Sequence, residues 1–183
     1  MYCSSRKMMR DKKQILIVMI ATIPLLLPLY ALSKEVYQTP EEFIEEVYAG
    51  SPPKSKKLWI RKDLKRQIRE IMQHDLGVIR IRYWEKDGRT TWILEEIGKE
   101  KPITTGIVIN DNRVELIRVL VFRETRGWEV RYPFFTNQFR NVSLNETLGL
   151  NKPIDGISGA TLSVNALKKL ARLSLLLHEH SNI

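Results

Sequence analysis

The sequence predicts an α+β fold, in which a small antiparallel sheet packs against a C-terminal helix, preceded by an N-terminal transmembrane or signal helix. Three observations support this prediction. Residues 15–32 form an uncharged apolar run, residues 78–122 are dominated by alternating apolar and polar positions, and apolar residues recur at helical spacing over residues 162–177. A period of two indicates strands that bury one face, whereas a period near 3.6 indicates an amphipathic helix.

The apolar run determines the expected compartment. Its 18 residues, from Ile15 to Leu32, are close to the minimum that spans the hydrocarbon core as a helix. The basic residues before it predict that the N-terminus stays in the cytoplasm and that residues 34–183 are exported. The run is either an uncleaved anchor or a signal peptide cleaved near Ser33, where Ala31-Leu32-Ser33 has a small-x-small pattern. Both interpretations place the remainder on the periplasmic side of the bacterial inner membrane.

Charge and cysteine content exclude several classes of function. Of the net charge of +9, the first thirteen residues supply +4, from five basic residues against Asp11. The remaining mild positive charge suits an anionic membrane surface or an acidic redox partner, and it lacks the concentrated stripe of a nucleic-acid binder. Cys3 is the single cysteine, which excludes an intramolecular disulfide, a c-type haem site and a thiolate iron–sulfur site. No histidine motif predicts a metal site.

Helix signals occur in the first half of the exported part. Thr39-Pro40-Glu41-Glu42 combines a capping residue, a proline at the first helical position and an acidic first turn, and Gly50 ends the short helix that follows. A second helix is predicted over about residues 62–73, with its lysines and arginines on a solvated face or on a docking surface for a partner or a membrane.

Two hairpins are predicted next. Segments 78–84 and 90–97 flank Lys86-Asp87-Gly88, and segments 103–109 and 114–122 flank Asn110-Asp111-Asn112. Asp-Gly and Asn-rich turns of this kind connect antiparallel strands. A loop-rich stretch, residues 123–157, then leads to the C-terminal helix. We therefore divide the chain into a basic tip with its signal segment (1–33), a part with helices and one hairpin (34–99), and a C-terminal domain (100–183).

Residues 155–163 carry the motif on which the functional prediction depends. The stretch reads Asp-Gly-Ile-Ser-Gly-Ala-Thr-Leu-Ser and leads directly into the predicted C-terminal helix. Small residues at a helix start leave backbone N–H groups accessible, and the helix dipole adds partial positive charge, so a phosphate is well accommodated there. Thr161 adds a hydroxyl that can carry a phosphodiester. In the alternative interpretation, Ser158 or Thr161 only caps the helix.

This stretch resembles the flavinylation motif of the FMN-binding domain family, which includes the C subunit of sodium-translocating NADH:quinone oxidoreductase and the G subunit of the Rnf complex. The family pattern is an Asp, two residues and then Ser-Gly-Ala/Ser-Thr, with FMN esterified through its phosphate to the threonine. All positions of the pattern are filled here, by Asp155, Ser158, Gly159, Ala160 and Thr161.

An upstream segment adds to the resemblance. The family carries a strand pair and then a Glu-Thr-x-Gly segment before the motif, and this chain has Glu124-Thr125-Arg126-Gly127, followed by Trp128. Arg126 stands where the respiratory subunits usually have proline. The resemblance covers about residues 100–178.

The resemblance implies an electron-transfer protein rather than an enzyme that turns over a small substrate by itself. It implies FMN bound covalently to Thr161, installed outside the cytoplasm by a flavin transferase of the ApbE type that uses Mg²⁺ and FAD. It also implies a membrane or periplasmic redox partner. The cofactor-binding residues expected from it are Thr161, Ser158, Gly159, Ala160, Asp155, Glu124, Thr125 and Trp128.

Some alternatives stay open at the level of the sequence. Trp128 or Phe135 either stacks on the flavin ring or lies in the core. Arg123 or Arg126 either lies near the N1–C2=O edge of the flavin or forms a surface salt bridge. The whole chain is alternatively a flavin-binding or flavin-sensing module, or a basic adaptor at the membrane surface without a redox role.

Overall fold

The fold is an α+β arrangement centred on one antiparallel sheet. A computed structural model describes residues 35–181, and the predicted membrane segment, residues 15–32, lies outside them. The strands run in the order β1-β6-β5-β4-β3-β2, and every neighbouring pair is antiparallel. The strands are β1 (Glu35–Val36), β2 (Lys56–Trp59), β3 (Arg80–Lys86), β4 (Arg89–Ile97), β5 (Pro102–Asn110) and β6 (Arg113–Phe122).

Four α-helices accompany this sheet in the described residues. They are α1 (Pro40–Val47), α2 (Lys62–Met72), the short α3 (Pro133–Thr136) and α4 (Thr161–Ser181). Two 3-10 turns, Trp128–Arg131 and Asn137–Phe139, flank α3. The predicted antiparallel sheet and C-terminal helix are confirmed, and the loop-rich stretch contains these short helical turns.

The hairpin turns follow from residues that tolerate positive φ. Asp87 and Gly88 have φ values of 55° and 78°, and Asp111 and Asn112 have values of 50° and 54°. Two consecutive residues of this kind form the turn whose twist matches that of the flanking strands. Both predicted hairpins are therefore present, with β3 joined to β4 and β5 joined to β6.

Helix α1 packs on the outer face of the sheet. Thr39 and Glu42 form a capping box at its start, with Pro40 at the first helical position. Its Phe43 ring lies directly on Gly106 of β5, where a Cβ atom would come within 2.5 Å of the ring. The absence of a side chain at Gly106 therefore leaves room for an aromatic ring.

Helix α4 packs on the inner face of the sheet and forms the main core together with α2. Two polar contacts tie it to β4. The buried Glu96 carboxylate accepts a hydrogen bond from Lys169 Nζ at 2.9 Å, and Thr90 Oγ1 lies 2.7 Å from His178 Nδ1. His178 is buried, so the helix continues in packed form beyond residue 177, where the apolar pattern of the sequence ends.

All described residues belong to one compact unit. Strands from residues 34–99 and from residues 100–122 hydrogen-bond in the same sheet, through β4 and β5. Within residues 35–181, none of the helices combines the length and apolarity needed to cross a bilayer.

Candidate functional site

The site is built around the first turn of α4. Helix α4 begins at Thr161, and the Ala160 carbonyl accepts the first helical hydrogen bond, from Val164 N–H at 2.9 Å. Ala160 therefore occupies the capping position, and Thr161 is the first helical residue, with an exposed side chain. The N–H groups of the first helical turn have no carbonyl partner within the helix and point outward from its start. An accessible hydroxyl thus lies beside free backbone donors.

A tight turn brings the chain to this helix start. The Ala160 N–H donates to the Ile157 carbonyl at 3.0 Å. Gly159 has a φ of 81°, and an added Cβ would meet no atom within 4 Å. Glycine is thus required here by the backbone conformation, and the space above the turn is open. The buried Ala160 side chain holds the turn against the domain, whereas Ser158 and Thr161 remain exposed.

Gly127 brings the upstream segment into contact with this helix start. Its φ is 84°, and a Cβ atom added to it would lie 2.6 Å from Ser163 Oγ and 3.4 Å from Ala160 Cβ. Because a side chain has no room there, the backbone of the 124–127 segment packs directly on the first turn of α4. The Glu-Thr-x-Gly segment and the Ser-Gly-Ala-Thr motif are therefore joined in space, as the resemblance implies.

Glu124 holds the segment to the neighbouring turn between β4 and β5. Its Oε1 atom accepts hydrogen bonds from the backbone N–H groups of Lys99, Glu100 and Lys101, the last two at 2.6 and 2.9 Å. Burial acts to raise the pKa of this carboxyl group, but the three donors outweigh it and lower the pKa below its usual value. The charged carboxylate thus holds the 124–128 loop against the turn between β4 and β5.

An exposed aromatic cluster follows Gly127. Trp128 is 41% exposed and makes an edge-to-face contact with Tyr132, at 5.6 Å between ring centroids. The Arg131 guanidinium lies over three rings, 4.3 Å from the centroid of Tyr37, 4.9 Å from that of Tyr132 and 5.3 Å from that of Trp128. Phe134 extends the cluster and is also exposed. A planar aromatic ligand would find both flat apolar faces and a fixed cation here.

The remaining candidate residues differ in their accessibility. Asp155 is exposed, with its backbone N–H bound to Gln138 Oε1 at 2.8 Å, and Thr125 is exposed as well. Arg123 donates to the Pro102 carbonyl and to Thr104 Oγ1 at 3.0 and 2.8 Å, so it is engaged within the sheet. Phe135 is fully buried and therefore belongs to the core. Trp128 is the accessible one of the two candidate stacking residues.

Sequence reasoning did not single out Arg131 or Ser163. Arg131 lies three residues after Trp128, which places the two on neighbouring positions of a 3-10 turn. The spacing of Trp128, Arg131 and Tyr132 was the available signal. Tyr37, however, joins the cluster from the bend that follows β1, almost a hundred residues before Arg131. Ser163 was visible only as part of the motif, because its contact with Gly127 is a tertiary one.

The arrangement suits a group with a phosphate at one end and an aromatic ring at the other. The open glycine turn and the free N–H groups of α4 suit the phosphate, and the Thr161 hydroxyl is positioned to be esterified by it. The aromatic cluster begins directly after Gly127, whose backbone packs on the same helix start, and it suits a ring. The donor set and the absence of steric obstruction at Gly159 therefore fit a mononucleotide attached through its phosphate.

Comparison with known proteins gives one positive finding. Residues 98–175 match the family model described as FMN-binding domain. The matched range runs from the turn that Glu124 binds through β5, β6 and the loop segment into α4, so it includes every residue of the candidate site except Tyr37. No curated protein matches the chain, and no solved structure matches it.

Proposed function

We propose that this protein carries FMN esterified to Thr161 and relays electrons outside the cytoplasm. Residues 98–175 match the family model described as FMN-binding domain, which supports the flavin part of the proposal. The observation that carries the proposal is the exposed Thr161 side chain at the first position of α4, beside an open glycine turn. The family match supports binding of FMN. The covalent bond, the residue and the compartment are the further content of the proposal.

Each element of the site has a separate task. The N–H groups at the start of α4 stabilise the phosphodiester charge, and the helix dipole adds to this effect. Glu124 fixes the loop that carries Trp128 and Arg131. The Trp128 ring and the Arg131 guanidinium are then available to the flavin ring. When bound, the flavin supplies reversible one- or two-electron transfer. The described residues contribute binding, orientation and electrostatics.

The attachment requires a flavin transferase as the partner. The Thr161 oxygen attacks the phosphorus of the FMN part of FAD, the bond to AMP breaks, and the hydroxyl proton leaves with the AMP group or a base of the transferase. FMN is thereby transferred and AMP is released. Asp155 is exposed and two residues before Ile157, whose carbonyl closes the turn, so it is placed to be recognised by the transferase or by its Mg²⁺ ion.

Intact mass spectrometry tests this function directly. The full chain is expressed with and without an ApbE-type transferase, and we expect a mass gain of one FMN moiety only in the first case. The product should stay yellow after acid precipitation and bleach reversibly on reduction. A chain that binds flavin only until it is denatured would contradict covalent attachment, and a covalent flavin that cannot be reduced and reoxidised would contradict the relay.

The extracytoplasmic location rests on the charge asymmetry around residues 15–32. A reporter that works only outside the cytoplasm, fused after Ile183, is expected to be active. The same reporter on a chain whose basic residues before Ile15 are neutralised serves as the control, because loss of the asymmetry should reduce export. Activity of a cytoplasm-specific reporter at Ile183 would contradict the location.

Trp128 is expected to tune the bound flavin. Its ring is exposed and directly follows Gly127, whose backbone packs on the first turn of α4. Stacking of aromatic rings contributes roughly 0.5–1.5 kcal/mol beyond burial. If Trp128 favours the planar oxidised ring, Trp128→Ala raises the midpoint potential by roughly 10–30 mV, at about 30 mV per 1.4 kcal/mol for a two-electron couple. Flavin fluorescence should also rise, because a stacked indole quenches it.

A redox titration and a fluorescence yield on the flavinylated variant make these two measurements. Trp84→Ala is the control, because Trp84 lies in β3 against α1 and away from the aromatic cluster. Covalent attachment should persist in both variants. An unchanged potential together with unchanged fluorescence in Trp128→Ala would contradict the stacking.

A further inference from the structure

One end of the sheet carries a group of exposed apolar side chains that neither the core nor the flavin site uses. Strand β2 ends at Trp59, which pairs with Arg80 at the start of β3. Strand β4 ends at Ile97, which pairs with Pro102 at the start of β5. Since the strands are antiparallel, these positions lie at the same end of the sheet. The exposed fractions are 54% for Trp59, 51% for Val78, 70% for Ile79 and 58% for Ile97. We name Trp59, Val78, Ile79 and Ile97 the apolar end.

Basic side chains accompany the apolar end. The Arg80 guanidinium lies 5.6 Å from the Trp59 ring centroid, and Arg80 and Arg61 are both exposed. The Ile60 N–H donates to the Ile79 carbonyl at 3.0 Å, so this backbone is ordered and holds the side chains outward. A tryptophan with branched aliphatic side chains and adjacent arginines is the combination that favours the boundary between lipid headgroups and acyl chains.

The start of the described chain lies at this same end of the sheet. Glu35 pairs with Phe122, the last residue of β6, and β6 pairs with β5 near its start, through Val121 and Thr104. The predicted membrane run ends at Leu32, and three residue steps span at most about 11 Å. A chain with that run in the bilayer would therefore keep the Glu35 end of the sheet close to the lipid surface.

We propose that the apolar end is a second contact with the membrane, in which Trp59, Ile79 and their neighbours enter the interfacial region of an anionic bilayer. The proposal rests on the proposed extracytoplasmic location and on residues 15–32 being an uncleaved anchor. Strands β1 and β2 are the two edges of a six-stranded sheet, about 24 Å apart at about 4.8 Å per strand. Attachment at Glu35 and contact at Trp59 thus hold the domain at two separate points, which fixes its orientation to the membrane.

The orientation has a consequence for the flavin site. The 124–128 loop follows β6 at the Glu35 end, and Glu124 binds the turn between β4 and β5 at the same end. The two-point contact therefore turns the site towards the bilayer. The partner that exchanges electrons with the flavin is accordingly a membrane-embedded protein or a lipid-soluble carrier, rather than a protein that diffuses freely in the periplasm.

Tryptophan quenching by lipids tests the contact. The full chain, made without the transferase so that no flavin absorbs the emission, is reconstituted into anionic vesicles whose lipids are brominated near the headgroup. Trp59→Phe is expected to lose most of the quenching. Trp84→Phe is the matched control, because Trp84 lies on the same outer face but further along β3, and it is expected to keep the quenching.

Further measurements distinguish contact with lipid from contact with a second copy of the chain at the apolar end. Ile79→Ser should weaken the quenching of Trp59 in anionic vesicles, and uncharged vesicles should give less quenching than anionic ones. Quenching that is undiminished in Trp59→Phe, or that is lost only in Trp128→Phe, would overturn the proposal. A detergent-solubilised dimer that dissociates in Ile79→Ser would assign the apolar end to a second copy of the chain instead. Intact mass on separately flavinylated protein keeps these outcomes distinct from failure of flavin attachment.

Discussion

Replacing Thr161 with alanine is expected to abolish the flavin that survives denaturation, while the fold remains intact. The side chain is exposed, and the capping position belongs to Ala160, whose carbonyl accepts the first helical hydrogen bond. Alanine is also the best helix former, so the stability should change by less than about 0.5 kcal/mol. Loss of the FMN mass in intact mass spectrometry is then a loss of the acceptor oxygen and not of the structure.

Two further variants test whether the Thr161 hydroxyl is the specific acceptor of FMN. Thr161→Ser keeps a hydroxyl and should retain part of the modification. Thr125→Ala removes another exposed threonine hydroxyl from the segment that packs on the helix start, and it should leave the attachment in place. Undiminished covalent flavin in Thr161→Ala would contradict the assignment of the site, whatever the two other variants show.

Gly127→Ala is expected to destabilise the domain by roughly 1–3 kcal/mol and to lower the yield of flavinylation. The residue has a φ of 84°, which L side chains rarely adopt, and its new Cβ would lie 2.6 Å from Ser163 Oγ. The loop must therefore move away from the first turn of α4, and the site geometry is lost with it. The denaturant midpoint of the flavin-free chain in detergent measures the first effect, and intact mass measures the second.

A double substitution separates the two causes. In Gly127→Ala with Ser163→Ala, the hydroxyl is removed and the nearest remaining contact is with the Ser163 Cβ position, at 3.3 Å. Part of the stability should return, and the part that does not return reports the strained backbone. Gly156→Ala is the control, because an added Cβ there meets no atom within 4 Å. A Gly127→Ala chain as stable as the unmodified chain would contradict the packing of the loop on α4.

The parts of the fold that depend on local chemistry were predictable from the sequence. The capping box at Thr39, the Asp87-Gly88 turn and the alternation along β3 each act within a few residues, and they produced helix and strand bounds close to those observed. The motif at residues 155–161 was equally visible, since its small residues and its hydroxyl follow one another directly. Residues 98–175 match the model of the same family that this motif resembles.

The parts that depend on tertiary contacts were not predictable. Strands β1 and β2 have two and four residues, mostly exposed, so they show no alternation and are stabilised by pairing with β6 and β3. The burial of His178 depends on Thr90, 88 residues earlier. The aromatic cluster likewise needs Tyr37 beside Arg131. In these cases the stabilising partner is distant in the sequence, and no local pattern marks it.

The contact between Gly127 and Ser163 also bears on the order of folding and flavin attachment. It joins two segments separated by the whole loop region, so it forms only after α4 has been synthesised and has packed on the sheet. The Thr161 hydroxyl acquires its exposed position at a helix start at that moment and not earlier. Under the proposed attachment, a transferase that recognises this geometry would modify only chains that have finished folding, and the flavin content of the protein would then report how much of it is folded.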